Sequence, residues 1–223
     1  WPLYCSVMMT TRRAFLLSGG LAGIGAALPG RHAARGAPAR GGSPGLRLAF
    51  VTDCHAREDL GAPDALALLA ERVNAAAPDA VLIGGDNIHG GFYLTAKEAR
   101  RRYVIFREQF FDRLEAPAHV VFGNHDLVGV QPPEGAGQLA EPRAVFREVF
   151  GLERTWRRLE LGGHSFFLLD TVEVLEDRSH YRGICPPAQL AWLREELAAT
   201  APEHPLVLVS HIPLRTTALQ VSD

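Results

Sequence analysis

Four short apolar runs in this chain each end in side chains able to hold a metal ion. Leu48-Ala49-Phe50-Val51 runs into Asp53-Cys54-His55, and Ala80-Val81-Leu82-Ile83 into Gly84-Gly85-Asp86. Ala118-His119-Val120-Val121-Phe122 runs into Gly123-Asn124-His125-Asp126, and Leu206-Val207-Leu208-Val209 into Ser210-His211. An apolar run closed by a polar cluster reads as a buried strand delivering its tip to a site. The groups delivered are carboxylate, carboxamide and imidazole, a donor set suited to Mn, Fe or Zn. Asp53 and His55 are two residues apart, so on an extended backbone their side chains share a face and reach one ion. Asp86 carries two carboxylate oxygens, the means to join two cations. Gly84, Gly85 and Gly123 suit tight turns where backbone packs close to ions.

In this order, Asp53-x-His55, Gly85-Asp86, Gly123-Asn124-His125-Asp126 and His211 resemble the calcineurin-like metallophosphoesterases, over residues 46–223. The resemblance implies an α/β fold, a four-layer α-β-β-α sandwich with the last part of its second sheet missing. It also implies hydrolysis of a small phosphate ester, monoester or diester, by a hydroxide held between two divalent or trivalent cations. On the family's pattern Asp86 bridges the ions. Asp53 and His55 complete one shell, Asn124 and His211 belong to the other, and His125 faces the leaving group as general acid or cationic stabiliser.

Two departures from that pattern carry information. Many family members place an acidic residue three positions after the bridging aspartate to orient the catalytic histidine. His89 stands there in Asp86-Asn87-Ile88-His89, as a contact to substrate phosphate or as a loop histidine without catalytic duty. Asp126 is open to two readings, orienting His125 or capping the local turn. The family's Gly-His-x-His element is absent, and His32, His119, His164, His180 and His204 do not match it. A fragment of a longer chain is the simplest expectation, and a degenerate site the alternative. A non-catalytic scaffold keeping the fold is the rival reading of the whole protein. Retention of Asn124-His125 argues against it. Tyr181-Arg182-Gly183, Gln189-Leu190-Ala191-Trp192-Leu193 and Ser210-His211-Ile212-Pro213-Leu214 resemble the branch that contains cyclic-nucleotide phosphodiesterases. Arg182 and His180 read as solvated loop residues.

The elements that must position these groups alternate strand, helix, strand, helix, strand from Leu46. Leu66, Leu69 and Val73 recur at helical spacing, as do Tyr103, Phe106, Phe110 and Leu114, and read as core faces. Such alternation argues for parallel strands with crossover helices. Residues 130–137 form a turn-rich loop, followed by a short helix over Arg143–Phe150. Thr155–Leu161 and Ser165–Leu169 flank Gly162-Gly163 as a hairpin opening a second sheet. Pro186 and Pro187 open a helix with Leu190, Leu193 and Leu197 on one face. His119 reads as a satisfied strand histidine.

The bulk composition is that of an ordinary globular protein, with 47% hydrophobic and 22% charged residues. A net charge of −2 gives no general polyanion-binding surface, so no nucleic-acid partner is expected. Cys5, Cys54 and Cys185 are too sparse for a disulfide framework or a zinc-thiolate site, and Cys54 reads as a buried filler.

Residues 1–45 read as an N-terminal extension and linker ahead of the domain at 46–223. Thr11-Arg12-Arg13 followed by a mild apolar stretch to Leu28 resembles a twin-arginine export signal. The stretch is too short for a stable membrane span. Export, to a periplasmic or extracellular location, is the expectation, with the export machinery as a partner.

Overall fold

The structure is a computed structural model that describes residues 16–18 and 45–214. The strands are β1 (Leu16–Ser18), β2 (Leu48–Val51), β3 (Ala80–Ile83), β4 (Ala118–Val120), β5 (Arg157–Leu161), β6 (His164–Leu169), β7 (Val172–Val174), β8 (Tyr181–Gly183) and β9 (Leu206–Ser210). The helices are α1 (Ala62–Ala75), α2 (Ala96–Gln109), α3 (Ala144–Phe150) and α4 (Pro187–Ala198). Strands β2, β3 and β4 form an all-parallel sheet in that order. A second sheet has the order β1-β9-β6-β5, parallel except for the β5–β6 hairpin. Strands β7 and β8 make a separate antiparallel ribbon.

Strand alternation sorts the apolar side chains into layers. Ala49, Val51, Val81 and Ile83 face a core shared with Leu66 and Val73 of α1 and Tyr103 and Phe106 of α2. Phe50 and Leu82 point the other way and meet Phe166, Leu168 and Val209 of the second sheet. Phe167 and Leu169, on the far face of that sheet, pack against Leu193 of α4. Helices, sheet, sheet, helix: this is the four-layer α-β-β-α sandwich, and it explains why these strands are apolar on both faces.

Helix α2 starts with a capping box. Thr95 accepts the Glu98 N–H at 3.3 Å and donates its own backbone N–H to the Glu98 carboxylate at 2.9 Å. Helix α4 departs from the expected pattern: Leu193 is buried but Leu190 is exposed. Gln189 takes the inward place instead, its amide bonded to the Asp170 backbone N–H and C=O at 2.8 Å each. Leu114 lies beyond the end of α2, and α3 begins at Ala144 rather than Arg143. His119 is not satisfied. Its Nε2 is buried without a hydrogen-bond partner, beside Arg157.

Cys5 and nearly all of the twin-arginine stretch lie outside the described residues; Leu16–Ser18 within that stretch pairs with β9. Among the described residues, no helix is long and apolar enough to cross a membrane.

Candidate metal centre

The six predicted site residues come from four strand ends of both sheets and meet in one place. They do so by a route the alternation argument does not give. Asp53 and His55 are not on an extended backbone. Their φ angles are 58° and 45°, and that of Asp86 is 53°, all in the left-handed region unusual for residues with a Cβ. The loops after β2 and β3 are held in this shape by each other. Asp53 donates its N–H to Gly85 O at 3.1 Å, His55 to Asp86 O at 2.9 Å, and Ala56 to Asn87 O at 3.0 Å. The His89 N–H then returns to Ala56 O at 3.1 Å. Three left-handed residues at one centre amount to backbone strain sustained by a surrounding hydrogen-bond frame.

Asp86 is buried at the middle of the cluster, and its two oxygens face different partners. Oδ2 lies 3.7 Å from His55 Nε2, which is itself 3.8 Å from Asp53 Oδ1. Oδ1 lies 3.2 Å from His211 Nε2, which is 2.9 Å from Asn124 Oδ1. The His125 backbone N–H also donates to Oδ1, at 2.8 Å. The separations on the His55 side are too long for hydrogen bonds. They approach the ~3–3.5 Å between two donors that each sit about 2.1 Å from one ion. The donors of Asp53, Asp86 and His211 all lie within 4.8 Å of one another. Carboxylate, amide and imidazole atoms converge here, closing into hydrogen bonds on the His211 side and standing apart on the His55 side, a donor set that suits a metal ion.

Burial alone would lower the His211 imidazole, but the adjoining Asp86 carboxylate outweighs it, and the group is pushed up to about 9. Burial pushes the Asp86 carboxyl up, yet the His211 contact holds it below its ordinary value. In the metal-free protein a proton on His211 therefore occupies the place of a cation. An ion must displace that proton, so metal affinity depends on pH. Between pH 8 and pH 6 the apparent affinity for Mn²⁺ should fall about 100-fold from this proton alone, tenfold per unit below the His211 value. Competition titration with a chelator of known affinity measures it, and a flat profile would contradict the placement of His211 as a ligand.

His125 is oriented by neither an acidic residue nor Asp126. Its Nδ1 accepts the Gly90 backbone N–H at 2.8 Å. Asp126 is wholly buried and turned inward. It accepts the Gly123 N–H at 2.9 Å, the Asn87 side-chain amide at 2.8 Å and the Tyr103 hydroxyl at 2.9 Å. Of its two sequence readings, the cap of the Gly123 turn is what the geometry shows. Burial, then repulsion from Asp86, pushes the Asp126 carboxyl up to about 7. Tyr103, placed by its spacing on a core face, thus also buttresses the site. Nothing in its helical stripe marks that duty.

The His89 ring stands at the mouth of the centre. It lies 5.6 Å from the His55 ring and 5.2 Å from the His125 ring, which are 4.5 Å from each other. Arg182 pairs with Glu173 in the β7–β8 ribbon, away from the cluster.

Glycines permit this packing at two points. A Cβ on Gly85, whose φ is 103°, would stand 2.7 Å from His211 Nδ1. A Cβ on Gly123 would overlap the Asp86 backbone N and Oδ1. Gly123→Ala should therefore cost about 1–3 kcal/mol and displace the carboxylate. Urea denaturation and metal content should both show it, whereas Gly135→Ala, where a Cβ meets nothing, should leave metal content unchanged.

Residues 46–222 match the model of the family described as calcineurin-like phosphoesterase. The chain belongs to that family. It is accordingly a phosphoric ester hydrolase that depends on metal. Among solved structures, the metallophosphoesterase is similar to a dimetal phosphatase from Danio rerio. The two share 13% identity with a TM-score of 0.52, over 76% of this chain and 70% of that one. It is also similar to a purple acid phosphatase, PPD1, from yellow lupin (Lupinus luteus) seeds. There the identity is 17% and the TM-score 0.45, over 74% of this chain and 30% of that one. At these identities the first likeness speaks for the fold alone. No curated protein matched.

Proposed function

We propose that this metallophosphoesterase hydrolyses a small phosphate ester, monoester or diester, at a pair of cations flanking Asp86. The observation that carries the proposal is the division of the Asp86 oxygens between two donor sets, Asp53 with His55 and Asn124 with His211. In this reading Asp86 is shared and each set supplies two further donors to one shell. The Asn124 amide contributes an oxygen without charge, which leaves the centre open to an anionic phosphate. Cations of the Mn, Fe or Zn type would supply positive charge to the phosphate oxygens and acidify water.

His125 then acts differently from an imidazolium acid. With Nδ1 accepting from Gly90, the neutral ring carries its proton on Nε2. Burial lowers the group from its ordinary value, which favours that neutral form. Nε2–H is aimed into the centre, 4.0 Å from Asp86 Oδ2. There it donates a hydrogen bond to the oxygen on which charge develops as the ester bond breaks. His89, beside it, offers a second imidazole to the same phosphate.

The test is hydrolysis of bis-p-nitrophenyl phosphate and p-nitrophenyl phosphate by the full chain, with Mn²⁺ and with excess chelator. Turnover of either ester that the chelator abolishes is the expected result. No turnover of either, with Mn²⁺ bound, would favour the scaffold reading.

We further propose that residues 46–223 act as the enzymatic domain and that residues 1–45 direct export by a twin-arginine signal. The support is the Arg12-Arg13 pair ahead of a weakly apolar stretch. A reporter fused after residue 45 should leave the cytoplasm, and an Arg12→Lys, Arg13→Lys pair of changes should retain it.

A further inference from the structure

Beside the ion-binding cluster stands a small aromatic wall that none of the chemistry above uses. Phe92 is buried at its base, while Tyr93 and Tyr181 are 58% and 40% exposed. Both tyrosine rings meet Phe92 edge-on, at centroid distances of 5.1 and 6.3 Å. The turn carrying Phe92 and Tyr93 lies directly on the turn carrying Asn124 and His125. A Cβ on Gly91 would run into the carbonyl oxygen of His125.

Tyr181 arrives from β8, and its position is fixed. The Gln131 side chain donates to Arg178 O at 3.0 Å and Ser179 O at 3.2 Å, and Arg178 donates to Leu139 O at 2.9 Å. The tip of the ribbon is thereby tied to the 129–139 loop. The Tyr181 phenol lies near the Asn124 side chain and within electrostatic reach of the Asp86 carboxylate. Asn124 Oδ1 is itself turned to His211. The ring therefore begins one side chain away from a proposed metal ligand.

Two exposed tyrosines propped on a buried phenylalanine, at the edge of a highly polar centre, offer aromatic surface to another ring. We propose that Tyr181, backed by Phe92 and flanked by Tyr93, is the wall against which the substrate's organic group rests, and that the preferred substrates are aryl phosphate esters. The phenol's nearness to Asn124 sets the scale. A ring joined directly to the ester oxygen lies beside the wall, whereas one on a long flexible linker passes it. The proposal rests on the reading that phosphate binds at the Asp86 centre.

Binding of non-hydrolysable phosphonates to the Mn²⁺-loaded full chain separates the two claims. Calorimetry should show phenylphosphonate binding about three- to tenfold more tightly than methylphosphonate, the range of one aromatic pair. Tyr181→Phe keeps the ring and should keep that ratio. Tyr181→Ala should bring it to about one, and because the ratio is taken within one protein, any loosening of the metal centre cancels. Equal affinities in the unaltered chain, or a ratio untouched by Tyr181→Ala, would overturn the aromatic wall while leaving the phosphate centre standing. If neither phosphonate binds in the presence of Mn²⁺, the phosphate centre itself is wrong, and the wall falls with it.

Discussion

Asp86→Ala should empty the centre: metal affinity falls by more than about 100-fold, and ester hydrolysis goes with it. The magnitude follows from position. Changing residues that merely support a metal ligand costs about 10–100-fold in affinity or activity. Asp86 faces His55 with one oxygen and His211 with the other, so its loss removes a donor from both sets at once. It also removes the acceptor of the His125 backbone N–H. Asp86→Asn keeps the shape and that acceptor but not the charge, and should fall between the two. In the metal-free protein either change removes what holds the His211 imidazole up at about 9. NMR titration of that ring should find it near or below its ordinary value. Elemental analysis after equilibration with buffered Mn²⁺ checks the rest. An Asp86→Ala protein that retains the wild-type metal content would contradict the assignment.

His125→Ala should do the opposite, leaving metal content intact and lowering kcat by about 10²–10³, the usual cost of losing one donor to a developing oxyanion. The loss should be greater for an alkyl ester than for a p-nitrophenyl ester, because the poorer leaving group needs more help. The pH profile separates a neutral donor from an imidazolium acid. An acid must hold an extra proton, so its kcat declines as pH rises through its own value. A ring held neutral by the Gly90 N–H gives no such decline between pH 6.5 and 8.5. A descending limb in that range that vanishes in His125→Ala would show that the ring turns over as an acid.

The fold was legible in the sequence because a strand buried on both faces has little freedom in composition. Leu48–Val51, Ala80–Ile83 and Leu206–Ser210 became strands within a residue of the apolar runs that announced them. The helical stripes through Leu66 and Val73 and through Tyr103 and Phe106 found their cores for the same reason. Helix α4 was read less well. A glutamine buried by two backbone hydrogen bonds to Asp170 is invisible to an argument that counts apolar side chains, which puts Leu190 in its place.

At the site, residue types and order were enough to gather Asp53, His55, Asp86, Asn124, His125 and His211. What the sequence could not show is how the backbone does it. Left-handed φ at Asp53, His55 and Asp86 is imposed by hydrogen bonds between two loops distant in sequence, a tertiary effect with no local signature. Main-chain donors are equally silent. Gly90 holds His125 through its N–H, which any residue but proline possesses. Tyr181 comes near Asn124 from a ribbon whose sequence reads as an ordinary loop.

The central claim is that Asp86 separates two cations. Anomalous diffraction from crystals grown with Mn²⁺ tests it most directly. Two peaks are expected, one between Asp86 Oδ2, His55 and Asp53 and one between Asp86 Oδ1, Asn124 and His211, about 3.5–4 Å apart as in other two-metal hydrolases. A single peak, or peaks only at residues outside this cluster, would contradict it.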